Sequence, residues 1–216
     1  MLVKICGLTS PEATRAAVDA GADAVGFVLA PSVRQVSCET ARELLALVPD
    51  TIEKIAVFAQ ATREELEAAF ELGFDAVQAE LGSPVEPMAK GMFALTVLRD
   101  GDDLEQRAEG VVSDWKPGSL RGALVLDGPS GGGSGVPVDL ERAQRTARSH
   151  PIVLAGGLTP ANVAELIRLV RPIAVDTSSG VESERGLKDP EKIQDFVRQA
   201  HEAFVLPAQT TEEPPP

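Results

Sequence analysis

Leu2-Val3-Lys4-Ile5-Cys6-Gly7-Leu8-Thr9-Ser10-Pro11 sets the pattern that the rest of the chain repeats. An apolar run of strand length carries a lone cysteine and ends at a glycine. It then meets a serine suited to cap a helix and a proline suited to its first position. The helical pattern from Pro11 to Ala20 stops at Gly21. One beat is therefore strand, short loop, helix.

The beat recurs to the end of the patterned sequence. Apolar strand runs are expected at Ala24–Leu29, Glu53–Ala59, Ala76–Ala79, Phe93–Leu98, Ala123–Asp127, Ile152–Ala155 and Ile173–Asp176. Helical patterns are expected at Cys38–Val48, Arg63–Leu72, Asp103–Glu109, Asp139–Arg148, Pro160–Val170 behind Thr159 as cap, and Pro190–Phe204 behind Asp189. A weaker, proline-interrupted helix falls near Pro87 to Lys90. Near-continuous apolar strands alternating with amphipathic helices imply a parallel sheet covered by helices. Eight such units within residues 1–205 predict a single-domain (β/α)8 barrel, shorter than the roughly 250 residues typical of that fold. A doubly wound open sheet is the alternative that pattern alone allows. Residues 206–216 are rich in Pro, Thr and Glu and have no apolar face, so a disordered tail is expected.

Composition narrows the function classes. At 44% apolar and 25% charged residues the 216-residue chain reads as an ordinary globular protein. Its apolar runs fall short of the ~20 residues of a spanning helix, and Lys4 and Thr9 interrupt any signal-peptide pattern. A cytoplasmic location is expected. A net charge of −13 opposes nucleic acid and anionic lipid, so an anionic ligand must be held by local groups. Two cysteines and two histidines, with no metal-ligand spacing, leave no zinc site to predict.

In such a barrel the site forms where the strands end at their carboxyl side. That rule gathers Cys6, Arg34, Gln78, Asp127, Gly156 with Gly157, and the stretch from Asp176 to Gly180. Lys4 and Cys6 are two apart on one strand and share a face, so Lys4 lies inside the barrel below the thiol and needs a carboxylate, Asp176 or Asp127. A cation beside Cys6 should lower the thiol pKa and favour the thiolate. Cys6 is either that base or a small buried filler.

Asp127 opens a loop with five glycines, from Gly128 to Gly135, and reads as a general acid or as a turn residue. Gly156-Gly157 and Ser178-Ser179-Gly180 follow the last two strands, where barrels hold phosphate on backbone N–H groups, or are ordinary turns. Arg34 could grip a carboxylate in a bidentate fork or be a solvated loop residue. His150 and His201 stand away from the strand ends, which disfavours a Ser-His-Asp hydrolase. A small phosphorylated molecule is the expected ligand.

Read jointly, these residues resemble the phosphoribosylanthranilate isomerase family. The carriers are Lys4-Ile5-Cys6-Gly7-Leu8, Gly26-Phe27 with Ser32-Val33-Arg34-Gln35-Val36, Leu126-Asp127 with its glycine loop, Leu154 to Val163, and Val175 to Glu182 running on to Gly186-Leu187-Lys188-Asp189. The resemblance implies a (β/α)8 enzyme of tryptophan biosynthesis that carries out an Amadori rearrangement of N-(5'-phosphoribosyl)anthranilate without metal or cofactor, as a monomer or homodimer. It implies Asp127 as general acid opening the ribose ring and Cys6 as general base at C2'. It also implies Arg34 at the anthranilate ring and carboxylate, with Asp176 among the substrate contacts. Gly133, Gly135, Gly156, Gly157, Ser178, Ser179 and Gly180 would cradle the phosphate. One departure stands out: where the family carries Gln-Leu-His-Gly, this chain reads Gln78-Ala79-Glu80-Leu81-Gly82. A non-catalytic sugar-phosphate barrel and a related aminoaldose-phosphate isomerase are the alternatives.

Overall fold

Residues alternate in and out along each strand, and this alternation builds two apolar cores. Val3, Ile5, Val25, Phe27, Val77, Leu98, Leu124, Leu126, Ile152, Leu154 and Val175 pack outward against the helices. Ala24, Ile55, Ala76, Leu95, Val97, Val125, Val153 and Ala174 fill the interior. The strands are β1 (Leu2–Cys6), β2 (Ala24–Val28), β3 (Glu53–Val57), β4 (Ala76–Glu80), β5 (Phe93–Arg99), β6 (Leu124–Asp127), β7 (Ile152–Leu154) and β8 (Ala174–Thr177). They close in sequence order into a parallel barrel, with β8 pairing back onto β1. The computed structural model describes residues 2–83, 92–111, 115, 117–130 and 135–205. The expected helix near Pro87 to Lys90, Gly133, and the tail 206–216 lie outside the described residues.

The helices are α1 (Pro11–Asp19), α2 (Cys38–Leu45), α3 (Arg63–Leu72), α4 (Leu104–Glu109), α5 (Leu140–Ser149), α6 (Val163–Val170) and α7 (Pro190–Val205). Ser10 caps α1 as expected, accepting from the Ala13 N–H at 3.2 Å. The cap of α6 differs from expectation. Asn162, not Thr159, precedes the helix, because its side chain ties the loop by accepting from Thr159 N and donating to Gly157 O. A short hairpin, β9 (Glu182–Glu184) with β10 (Leu187–Lys188), stands between β8 and α7 and has no counterpart in the expected pattern.

Lys4 is the largest side chain sealed inside the barrel, 1% exposed. It fits because its neighbours in register are small, Ala24 on β2, with Gly26 above it. Its Nζ meets Asp176 Oδ2 at 2.8 Å. Removing one partner of such a buried pair costs about 3–5 kcal/mol, since it strands the other charge. The tie between β1 and β8 therefore also closes the barrel.

At the opposite, amino end of the strands, Glu53 opens β3 between Asp23 and Asp75. Its Oε2 is buried without a hydrogen-bond partner. Burial, reinforced by Asp75 and only partly offset by Arg121, pushes this carboxyl from 4.5 up to about 7. The fold favours its neutral form, so its contribution is complete below 4.5 and is lost as pH rises through 7. Glu53→Gln should raise the melting temperature relative to the parent at about pH 8, with the gain shrinking towards about pH 5. A pH-independent difference would refute this account.

Candidate active site

Strand ends bring the expected residues to one pocket. Cys6 ends β1 and Asp127 ends β6, and both line it. Around the barrel the order β6, β7, β8, β1 puts the loops after β7 and β8 between them. Gly156, Gly157, Ser178, Ser179 and Gly180 line the same cavity, as do Gly135, Arg34 and Asp176.

The loop after β7 requires glycine. Gly156 and Gly157 have φ of 80° and 67°, and a β-carbon on either would come within 2.8 Å of backbone, Gly128 N for the first and Gly135 O for the second. Side chains are excluded here, so a ligand meets main chain. Thr177 Oγ1 donates to Leu158 O at 2.8 Å and locks the loops after β7 and β8 together.

Cys6 is 7% exposed. Burial pushes its thiol up, and Lys4 does not reverse this, although it pulls the other way. The lowering expected from a nearby cation is present, but the net shift is upward. Desolvation is the larger effect, and the Asp176 carboxylate adds to the rise, so the favourable pull of Lys4 on the thiolate is outweighed. Lys4 itself is held charged: burial alone would drop it, but Asp176 and Cys6 outweigh that. Asp176 is pushed up by burial against the pull of Lys4, and its Oδ1 has no hydrogen-bond partner. Gln78 Oε1, also at the pocket, is likewise unmatched.

Gly26 keeps the thiol in place. A β-carbon there would stand 2.9 Å from Cys6 Sγ, closer than real β-carbons come, and a tight 3.2 Å from Lys4 Nζ. Gly26→Ala should displace the sulfur and lower kcat by about 10²-fold, the cost of a small misplacement of a reacting group. Steady-state kinetics and a melting curve check this, and unchanged kcat would refute it.

Arg34 is buried rather than solvated. Its fork is occupied by the chain's own carboxylate: Nε and Nη2 donate to Glu182 Oε1 and Oε2 at 2.6 and 2.9 Å. Lys188 Nζ also reaches Glu182, at 2.7 Å, and donates to Ser178 O at 2.9 Å. Burial would raise Glu182, but Arg34, Lys188 and the Gly186 N–H bring its carboxyl down to about 2. The bidentate face expected to grip a ligand carboxylate is thus directed at the hairpin. Arg34 offers the pocket the remaining edge and face of its guanidinium.

Sequence reasoning assigned no role to Glu182, Lys188 or Arg99. The first two lie within the stretch that carries the family resemblance. Arg99 ends β5 one residue beyond the apolar run that was read as the strand. Extending the strand-end rule by that residue would have found it.

A family model described as N-(5'-phosphoribosyl)anthranilate (PRA) isomerase matches residues 3–199. The chain belongs to this isomerase family. The N-(5'-phosphoribosyl)anthranilate isomerase of Streptococcus pneumoniae strain Hungary19A-6 is 40% identical over 196 residues, 90% of this chain and 93% of that protein. The crystal structure of phosphoribosyl anthranilate isomerase from Thermotoga maritima superposes with a TM-score of 0.80 at 34% identity, covering 94% of this chain and 99% of that one. A phosphoribosyl anthranilate isomerase in complex with reduced 1-(o-carboxyphenylamino)-1-deoxyribulose 5-phosphate gives 0.78 at 32%, covering 94% and 100%. A further structure, with a TM-score of 0.79 at 32% identity over 94% and 100% of the two chains, is of monomers made from the dimeric Thermotoga maritima enzyme. Among the described residues no three His, Cys, Asp or Glu could hold a metal, and no helix is long and apolar enough to cross a membrane.

Proposed function

We propose that Cys6 and Asp127 are the base and acid of the family's reaction, the Amadori rearrangement of N-(5'-phosphoribosyl)anthranilate to 1-(2-carboxyphenylamino)-1-deoxyribulose 5-phosphate. The observation that carries the reading is that the two face one pocket from β1 and β6, with the glycine loops after β7 and β8 between them. A phosphate on those loops puts the sugar within reach of both groups.

Asp127 gives its proton to the ring oxygen as the bond from that oxygen to C1' breaks, leaving an iminium between C1' and the anthranilate nitrogen. The C2' proton is then acidic, and the Cys6 thiolate takes it. The C–H electrons form the C1'=C2' bond and neutralise the nitrogen. The enolamine becomes the ketone as C1' gains a proton and the 2'-hydroxyl loses one. Lys4 beneath the sulfur stabilises the thiolate, which a raised thiol needs. The unmatched acceptors Asp176 Oδ1 and Gln78 Oε1 suit the hydroxyl groups of the sugar chain. Arg34 stacks its plane on the anthranilate ring.

The ligand bound in a relative's structure supports a phosphorylated small molecule here, and the net charge of −13 disfavours nucleic acid. A cytoplasmic monomer or homodimer belongs to the same reading; sedimentation decides the assembly. Incubating the purified protein with freshly prepared substrate and following the loss of its fluorescence tests the activity. A folded protein that binds the product analogue without turnover would overturn it in favour of a binding barrel.

A further inference from the structure

Arg99 lines the pocket and bridges Asp127 to Glu80, which ends β4 where the chain departs from the family pattern. Its Nε and Nη2 donate to Glu80 Oε1 at 3.0 and 2.6 Å, and its Nη1 donates to Asp127 Oδ2 at 2.5 Å. The guanidinium thus spans the ends of β4, β5 and β6. Its backbone oxygen accepts from Arg107 of α4 at 2.6 Å, which fixes the strand end from outside. Asp127 Oδ1 accepts from the Gly128 N–H at 2.8 Å.

We propose that Arg99 is a positioning residue for the acid, with Glu80 as the anchor that keeps its guanidinium at this wall. The proposal rests on Asp127 being the acid. Both carboxylate oxygens carry a donor, which suits the anion left after the proton has gone to the ring oxygen. A protonated Asp127 still has acceptor capacity for the Arg99 N–H, so the bond orients the acid before the transfer and strengthens as the proton leaves. Glu80 holds two nitrogens of the same guanidinium and so fixes its place beside Asp127. The charge that appears on Asp127 as the proton leaves is met by Arg99 with little movement.

Fold stability does not explain the arrangement. The Arg99 and Glu80 side chains are 24% and 32% exposed, and pairs at that exposure contribute little. The acid is the better sealed partner, at 12%.

The test compares Arg99→Met, Arg99→Lys, Glu80→Gln and the Arg99→Met/Glu80→Gln double variant by kcat, KM and melting temperature. Arg99→Met should lower kcat by about 10- to 100-fold, the range for losing one charge-assisted hydrogen bond at the reacting group, with KM within about threefold. Arg99→Lys should recover part of the loss. Glu80→Gln should cost about three- to tenfold, and the double variant should be no worse than Arg99→Met, because the pair acts as a unit. A raised KM with unchanged kcat would make Arg99 a substrate anchor and overturn the proposal. Additive losses, or activity falling in step with melting temperature, would overturn it too. A fully active Asp127→Asn variant would instead remove the acid assignment beneath it. An inactive Asp127→Asn beside a normal Arg99→Met would sink this proposal alone.

Discussion

Cys6→Ala should lower kcat by on the order of 10³- to 10⁴-fold, the upper part of what a positioned base supplies, with the fold and the affinity for a reduced product analogue retained. The side chain lost is small and 7% exposed, so the cavity it leaves is minor compared with the chemistry removed. Cys6→Ser is a sharper comparison. A hydroxyl of nearly the same size sits in the same place but is far harder to deprotonate, and it should be almost as inactive as alanine. Burial pushes the Cys6 thiol above 9.0. Its alkylation by iodoacetamide should therefore quicken about tenfold for each pH unit well beyond neutrality, as the thiolate fraction grows. Product analogue should block the reaction, and the exposed Cys38 serves as the internal reference. An active Cys6→Ala variant would remove Cys6 from the mechanism.

Asp127→Asn should lower kcat by about 10²- to 10⁴-fold. Asparagine keeps the size but cannot give up a proton at this step, and its amide places N–H groups against one of two donors, Arg99 or Gly128. Part of the loss would then reflect a turned side chain. Asp127→Ala separates the two effects. It removes the misplaced donor and opens room beside Arg99 for a small carboxylic acid, so added formate should restore a measurable share of the rate without changing the melting temperature. Absence of any rescue, together with high residual activity in both variants, would show that ring opening needs no acid at this position.

The fold was legible because its cues are local. Apolar runs of strand length, Ser10 ahead of Pro11 and the glycines at helix ends each involve neighbours in sequence. That Cys6 and Asp127 line one pocket was legible once strand ends were known, since a barrel converts the ends of distant strands into neighbours. Lys4 could be placed inside the barrel, but its choice of Asp176 over Asp127 depends on β8 pairing with β1, where Lys4 and Asp176 fall in register. Arg99 was missed because a charged residue after an apolar run reads as loop. Pairing with Asp127 in register extends β5 by that residue. Glu182 and Lys188 were harder still. Their hairpin is two and three residues long, mostly charged and mostly exposed, and only Glu182 and Lys188 are buried, with Glu182 paired to Lys188 and to Arg34, 148 positions away.

Those long separations set an order of events. The Lys4–Asp176 tie joins residues 172 apart, and the Arg34–Glu182 tie joins residues 148 apart. During synthesis Lys4 and Cys6 leave the ribosome well before Asp176 and Glu182, the groups that hold their surroundings. Until then a lysine destined for the dry interior stays hydrated, and the first strand has an open edge. Regain of activity on refolding should accordingly lag behind the regain of helix signal, because closing the longest loop is the last and slowest search.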